Sequence, residues 1–254
     1  MSKPGAQRLR EMLARNHAIA ERVQEADFAL PEFERLQRWQ RARIARSFDD
    51  LASQEGYRPA VQFFLTELYG GLDFRERDQD MGKVMPVMIR FLPDKTLGTM
   101  SEAFELQAIS LEYDMAMAAQ LAREPIVELD VARYGAVYRA CSDRAGRERQ
   151  IDLIRKLGYD LDRLVRWPMV NVLVRLLRGP AHAAGFGKLQ QFLEGGLAAF
   201  RALADTRYFV ETIYAREMAS MQRLFAGDEQ PFGFRRLADV ARRWCSRNDH
   251  AGSG

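Results

Sequence analysis

Apolar residues recur at intervals of three and four along most of this chain, the spacing that places them on one face of an α-helix. The alternating pattern of a β-strand is nearly absent. The first two such apolar patterns predict helices over about residues 6–25 and 30–54, and the second helix has Pro31 in its first turn. The residues expected to face inward on these helices are Leu9, Met12, Leu13, Ala20, Val23, Phe33, Leu36, Ile44, Phe48 and Leu51. The periodicity therefore predicts an all-α protein.

Glycine, proline and capping residues set the expected boundaries of the next two helices. A third helix is predicted over about residues 59–69, ended by the pair Gly70-Gly71. A fourth is predicted over about residues 73–92, because it begins with a capping-box pattern. Pro86 lies inside it, removes one backbone hydrogen bond and predicts a bend.

The remainder of the chain continues in the same way. A second capping box at residues 99–102 is expected to open the fifth helix, which has one inward stripe. Asp130 and Asp160 are the expected N-caps of the sixth and eighth helices, and Asp205 or Thr206 that of the tenth. The predicted ranges of the fifth to tenth helices are about 99–123, 131–142, 146–157, 160–178, 187–204 and 206–225.

The linkers between these helices are short, and no internal repeat or low-complexity tract interrupts them. The sequence therefore predicts one multi-helix, bundle-like domain of about nine to eleven helices over residues 1–227, with a soft subdivision near 124–147. Residues 228–254 are expected to be an Arg-rich, partly disordered tail.

Composition narrows the class of protein. The apolar content of 47% and the charged content of 29% are ordinary for a soluble globular protein. A net charge of +3 does not by itself imply a polyanionic partner. Two cysteines cannot form a disulfide framework, and no apolar run is long enough to span a bilayer. We therefore expect a cytoplasmic protein with no membrane span.

The densest pattern in the chain lies between Val61 and Pro93. It contains the groups Phe63-Phe64-Leu65, Leu68-Tyr69-Gly70, Asp73-Phe74 and Arg77-Asp78. This arrangement, FFL-x-x-LYG-x-x-DF-x-x-RD, resembles the signature of an uncharacterised family of bacterial, mainly proteobacterial, all-helical proteins. The resemblance is strongest over about residues 33–122. It implies a helical cytoplasmic protein and brings no activity and no catalytic residue with it.

The usual catalytic patterns are missing from the sequence. None of the three histidines follows a glutamate at the spacing of a di-iron helix bundle. There is no Gly-x-Ser-x-Gly motif, and the stretch around Gly187 lacks the residues of a phosphate-binding loop. We therefore expect no metal and no cofactor, and an enzymatic role is not favoured.

Six residues are the candidates for binding a ligand or a partner. Three follow from the signature and three are carboxylates on apolar helix faces: Tyr69, Arg77, Asp78, Glu105, Glu112 and Glu217. Buried carboxylates need partners, which this Arg-rich chain offers in number. One interpretation is that Arg–Glu pairs join the helices; the other is that the carboxylates act in a central pocket.

Three functions remain open on the sequence. The leading hypothesis is a non-enzymatic protein-binding or regulatory module, with a protein partner or self-association. The alternative is a helical enzyme or carrier with an apolar small-molecule pocket. The third is nucleic-acid binding through the Arg-rich tail, although no nucleic-acid-binding motif accompanies that tail.

Overall fold

A computed structural model describes residues 3–68, 85, 89–90, 92–123, 128–167 and 187–233 of the chain. These residues form α-helices and no β-strand, which confirms the all-α prediction. The helices are α1 (Pro4–Arg22), α2 (Leu30–Ser47), α3 (Asp49–Ala52), α4 (Arg58–Phe63), α5 (Asp94–Leu121), α6 (Val131–Cys141), α7 (Arg144–Val165), α8 (Gly187–Arg201) and α9 (Thr206–Ala226).

The long helix α5 lies at the centre of the described fold. Helices α1, α2, α6 and α7 all pack directly against it. Leu97 and Phe104 face the α1 side, whereas Met117 and Leu121 join the core formed with α2, α6, α7 and α9. Because α5 is contacted on several sides, it buries more of its surface than the single inward face expected from the sequence. Ala122, which directly follows the last residue of α5, is exposed.

Two predicted helix starts are wrong. Helix α5 begins at Asp94 after Pro93, so the capping box at residues 99–102 lies inside the helix. Helix α7 is continuous where two helices were expected, with the Asp143 side chain accepting a hydrogen bond from the Gly146 backbone N–H. Asp160 is therefore not a cap: it lies within α7 and pairs with Lys156 and Arg163.

The partners of Asp160 explain why it does not cap a helix. A carboxylate needs a positive or N–H partner, and at this position the partners are cations one turn away on the same helix. Burial would raise the pKa of Asp160, but Lys156 and Arg163 outweigh burial and hold it below its usual value. The other two expected aspartate caps are confirmed, because Asp130 and Asp205 each accept a bond from a first-turn backbone N–H.

The predicted second helix is also divided. It ends at Ser47, and the separate short helix α3 follows at Asp49. Helix α4 continues into one π-helical stretch at Phe64–Leu68. The predicted end of the third helix at Gly70-Gly71 and the predicted bend at Pro86 lie outside the described residues.

The chain turns back onto the core after α9. Gly227 adopts a φ of 75°, a left-handed conformation that favours glycine, and ends the helix. Phe232 then packs against Trp39 and Tyr134, with ring centroids 5.9 and 6.0 Å away. The packed part of the molecule thus reaches at least Phe232. None of the described helices combines the length and apolar character needed to cross a bilayer.

Candidate functional site

The three predicted carboxylates lie in ion pairs between helices. Glu105 accepts hydrogen bonds from Arg8 of α1 at 2.6 Å and from Arg149 of α7 at 3.1 Å. Glu112 is held by both Nε and Nη2 of Arg15, at 2.7 and 2.5 Å.

Glu217 lies elsewhere, on α9, where Arg43 of α2 donates to it at 2.5 Å. The structure thus brings Glu105 and Glu112 to one edge of α5 and places Glu217 apart from them. Tyr69, Arg77 and Asp78 lie outside the described residues, so their part in a site stays a prediction. These pairs fit the interpretation that arginines join the helices through the carboxylates.

Helices α1 and α5 pack side by side in the same direction. Arg8 pairs with Glu105 and Arg15 with Glu112, so both partners advance by seven residues. The buried positions of the two helices alternate at intervals of three and four: Ala6, Leu9, Leu13, Asn16 and Ala20 on α1, and Leu97, Ser101, Phe104, Ala108 and Leu111 on α5. This is the pattern of a parallel two-stranded coiled coil with flanking charge pairs.

Two polar side chains interrupt this α1–α5 seam. Asn16 is fully buried and donates from Nδ2 to the carbonyl oxygens of Met12 and Phe104, at 2.8 and 2.9 Å. Asn16 Oδ1 and Ser101 Oγ are buried without a hydrogen-bond partner among the described residues. An unsatisfied buried polar atom costs roughly 1–3 kcal/mol, so this seam is weaker than an all-apolar seam of the same area.

The start of α1 is tied to the start of α5. Lys3 Nζ donates to the carbonyl oxygens of Ile89 and Leu92, at 2.6 and 2.9 Å. The backbone N–H of Gly5 donates to Asp94 Oδ1 at 2.9 Å. A Cβ at Gly5 would lie only 2.4 Å from the Asp94 carbonyl oxygen, so the close approach of the two helices requires glycine here.

A polar cavity of about 70 Å³ lies on another side of α5, between α2, α6, α7 and α9. Charged, amide, hydroxyl and aromatic groups line most of it, with aliphatic residues on one side. The polar residues that line it include Gln40, Arg43, Asp114, Tyr138, Arg147 and Glu217. This polar cavity is separate from the α1–α5 seam.

Arg147 is the most unusual group in the polar cavity. It is only 4% exposed, and its Cζ lies 4.1 Å from the ring centre of Tyr113 and 4.2 Å from that of Tyr138. Its Nη1 donates to Gln150 Oε1 at 3.0 Å and its Nη2 approaches the Met117 sulfur at 3.5 Å. Its Nε–H is buried with no hydrogen-bond partner among the described residues. No carboxylate of the described chain forms an ion pair with it.

Asp114 is the carboxylate whose charge acts on Arg147 from within the polar cavity. It is buried and accepts a hydrogen bond from Gln40 Nε2 at 2.9 Å. Burial raises the pKa of Asp114 to about 6, against the opposing effects of the Gln40 bond, the Arg147 charge and a bond from Gln37. Burial likewise raises the pKa of Tyr134, which stacks on Trp39. Asp114 therefore changes its charge near pH 6.

The sequence did not single out Asp114, Arg147 or Gln40. Asp114 had a usable signal, since it lies three residues after Leu111 and three before Met117 on a largely buried helix. Arg147 had none, because the stretch RAGRERQ around it is polar on every side. Among the described residues, no group of three or more His, Cys, Asp or Glu side chains is placed to hold a metal ion.

Comparisons with known proteins place the chain in a family without adding an activity. No curated protein and no solved structure matches it. One family model, described as a domain of unknown function (DUF8198), matches residues 20–231. The match covers α2 to α9 and leaves most of α1 outside. Because most of the sequence matches, the chain belongs to this uncharacterised family.

Proposed function

We propose that this protein is a non-enzymatic regulatory module of the bacterial cytoplasm that binds a partner protein through the face of α5 covered by α1. The observation that carries the proposal is the position of α1 relative to the family match. Helix α1 spans Pro4–Arg22, whereas the matched domain begins at residue 20. In this chain α1 covers a face of α5, and α5 lies within the matched range whereas most of α1 lies outside it.

The contacts of α1 define the chemistry of the partner. A helix that replaces it needs apolar residues at intervals of three and four to fill the seam. It needs a glycine where Gly5 approaches Asp94. Two basic residues seven apart would pair with Glu105 and Glu112. The partner is therefore an amphipathic, basic helix that docks parallel to α5; the α1 helix of a second copy meets the same requirements.

Displacement of α1 is the step that would make this binding regulated. A short linker gives a tethered helix an effective concentration on the order of millimolar, so a competing helix must bind tightly or arrive when α1 is loosened. The unsatisfied Asn16 and Ser101 atoms lower the stability of the seam. The two Arg–Glu pairs are partly exposed and weaken with salt. Opening of α1 is therefore expected at a lower free energy than global unfolding.

Native-state hydrogen exchange on the intact chain tests this proposal. We expect the α1 amides to exchange through an opening of lower free energy than those of α5 and α7. Arg8→Glu combined with Arg15→Glu should accelerate exchange in α1 and leave α9 unchanged. Adding Glu112→Arg to that variant should restore part of the protection of α1, because the Arg15–Glu112 pair is then re-formed with its charges exchanged. Glu105 is kept in this variant because it also pairs with Arg149 of α7.

Binding of a labelled peptide with the sequence of residues 3–23 is a second test of the proposal. It should bind the intact charge-reversed double variant Arg8→Glu/Arg15→Glu, whose own α1 is loosened, and a scrambled peptide of equal composition should not. Protection of α1 equal to that of global unfolding, or absence of peptide binding, would show that α1 is simply part of the core and would overturn the proposal.

The other two hypotheses receive less support from the described residues. The alternative of a helical enzyme or carrier called for an apolar pocket, whereas the cavity beside α5 is polar and holds only about 70 Å³. For nucleic acid, Arg8 and Arg15 are engaged with glutamates, and most of the Arg-rich tail lies outside the described residues. A gel-shift assay at low salt remains the direct test of the tail.

A further inference from the structure

We infer that the polar cavity beside α5 binds a small carboxylate or an oxyanion of similar size, held by Arg147. This site lies apart from the α1–α5 seam and does not depend on the function proposed above. Arg147 has an unmet hydrogen-bonding requirement. A buried guanidinium needs hydrogen-bond acceptors and compensating charge, and here Nε–H has no acceptor among the described residues.

The neighbours of Arg147 already occupy much of its guanidinium group. The rings of Tyr113 and Tyr138 pack against the guanidinium, and Nη1 and Nη2 already contact Gln150 and Met117. Hydrogen bonds to a guanidinium lie in its plane, so an acceptor must approach along the N–H edge. A planar carboxylate or a compact oxyanion has the geometry for this contact.

The charges of the polar cavity favour an anion over a cation. It contains two guanidinium groups, of which Arg43 pairs with Glu217. The other two charged groups are Arg147 and Asp114, which interact through their charges but form no direct ion pair in the described chain. With Asp114 protonated, the lining carries one excess positive charge; with it ionised, the lining is neutral. A metal cation would meet two arginines in either state.

The size of the polar cavity limits the ligand. A site open to one water needs about 10–15 Å³, so about 70 Å³ corresponds to roughly five waters. Acetate, nitrate and bicarbonate each have four non-hydrogen atoms and fit this space. A nucleotide, a sugar phosphate or an acyl chain does not. The ligand class is therefore a compact monoanion.

Asp114 couples this binding to pH. The groups around it are Gln37, Gln40 and Arg43 of α2, Tyr134 and Tyr138 of α6, Arg147 of α7 and Glu217 of α9. Burial raises the pKa of both tyrosines, which keeps them neutral near pH 7. Asp114 is thus the group with a shifted pKa that changes charge near pH 6. An incoming anion favours its neutral acid, which can donate a hydrogen bond to the anion. Binding therefore takes up a proton and weakens above that pH.

Calorimetric titration of the intact protein with sodium acetate, sodium formate and sodium nitrate, in buffers free of carboxylates, tests the inference. We expect one saturable site at about pH 5.5 and at least about tenfold weaker binding at about pH 7.5, because Asp114 must then take up a proton. Asp114→Asn should bind acetate with an affinity that no longer depends on pH. Its side chain has the same size and retains an oxygen for Gln40.

Arg147→Lys should lose at least about tenfold in affinity, because lysine cannot offer the planar edge. Arg149→Lys is the matched control, since Arg149 lies two residues further on α7 and contacts only Glu105 in the described chain. Ser220→Leu fills the polar cavity from α9 without changing Arg147 and should abolish binding even if Arg147→Lys fails to fold. Two results would overturn the assignment: no binding of any probe at about 50 mM, or unchanged affinity in folded Ser220→Leu.

Discussion

Two glycines in long helices show how much a single methyl group matters in this fold. Gly158 of α7 faces Val210 of α9, and a Cβ at that position would lie 2.6 Å from Val210 Cγ2. Gly98 of α5 has no atom of the described residues within 4 Å of its would-be Cβ. Alanine favours a helix over glycine by roughly 1 kcal/mol at both sites, so only packing distinguishes them.

We expect Gly158→Ala to destabilise the protein by about 1–2 kcal/mol, because overpacking against a stiff β-branched side chain exceeds the gain in helix propensity. Gly98→Ala should stabilise it by about 0.5–1 kcal/mol. Urea denaturation of both variants beside the wild type measures the two effects. Equal stability of the two alanine variants would contradict the close α7–α9 crossing.

Asp114 gives the stability of the protein a pH dependence opposite in sign to that of most carboxylates. Its pKa is about 6 in the folded state, above the ordinary value of 3.8, so the folded state binds the proton more tightly. The penalty of ionising it is therefore present above about pH 6 and relieved as the pH falls from 6 towards 4. Two pKa units correspond to about 3 kcal/mol over the full window.

We expect the difference in unfolding free energy between wild type and Asp114→Asn to move in favour of the wild type as the pH falls from about 7.5 to about 4.5. Comparing the two proteins cancels the contributions of other carboxylates to the pH dependence. One of these is Asp50, whose pKa is held below its usual value by the hydrogen bond from Arg216, so that its contribution to stability is lost at lower pH. Urea titrations at several pH values, in carboxylate-free buffer, give the difference. A difference that stays constant with pH would mean that Asp114 does not titrate in this window.

Single residues also mark the limit of what the sequence can predict. The charge pairs of Glu105, Glu112 and Glu217 with arginines follow one interpretation available from the sequence, because the need of a buried carboxylate for a cation is local physics. Which arginine each one meets depends on the packing of distant helices. Arg147 lies on a polar stretch and is buried because residues of α5 and α6, among them Tyr113 and Tyr138, pack against it. No window of sequence contains that information.

At the scale of helices, local capping chemistry and tertiary context compete for the same aspartates. Asp205 accepts a hydrogen bond from the Tyr208 backbone N–H at 2.9 Å, and Thr206 Oγ1 donates to Asp162 of α7 at 2.8 Å. The sequence predicted this helix start because an aspartate before an apolar stripe usually caps it. The same rule misplaced a start at Asp160, where neighbouring cations satisfy the carboxylate.

Removing the cap of α9 should therefore have a measurable and specific effect. We expect Asp205→Ala to lower the free energy of unfolding by about 1 kcal/mol, because the first-turn N–H of Tyr208 loses its acceptor. Asp205→Asn retains an oxygen at the same position and should lose only a few tenths of a kcal/mol, from the weaker interaction with the helix dipole. Thermal or urea denaturation separates the two. Equal losses in both variants would assign the effect to charge and not to the hydrogen bond.

At the scale of the molecule, the sequence predicted helices and their apolar faces but not their arrangement. Its periodicity identified Leu9, Phe33 and Ile44 as buried, because each lies on a one-sided amphipathic helix. It underestimated α5, since a helix contacted on several sides has no single stripe. The direction of α1 along α5 depends on partners distant in sequence, among them Glu105 and Glu112, each 97 residues from its arginine. A one-dimensional pattern does not encode that pairing.

The segment after α9 forms one wall of the polar cavity and packs against α2. Phe232 lines the cavity, packs on Trp39 and lies 5.1 Å from the Arg43 guanidinium. Truncating a fully buried Phe costs about 3–5 kcal/mol, so we expect Phe232→Ala, at a half-buried site, to cost about 2 kcal/mol.

Opening this wall should also let water reach Trp39, which red-shifts its fluorescence. Trp39→Phe, alone and combined with Phe232→Ala, isolates that signal from those of Trp244 and of Trp167, which is already exposed. In the same variant water would reach Glu217 and Arg43 and enter the polar cavity. The affinity for acetate should then fall, because water competes with acetate for the guanidinium group of Arg147. A Phe232→Ala protein with unchanged Trp39 emission and unchanged stability would show that the core ends at Gly227.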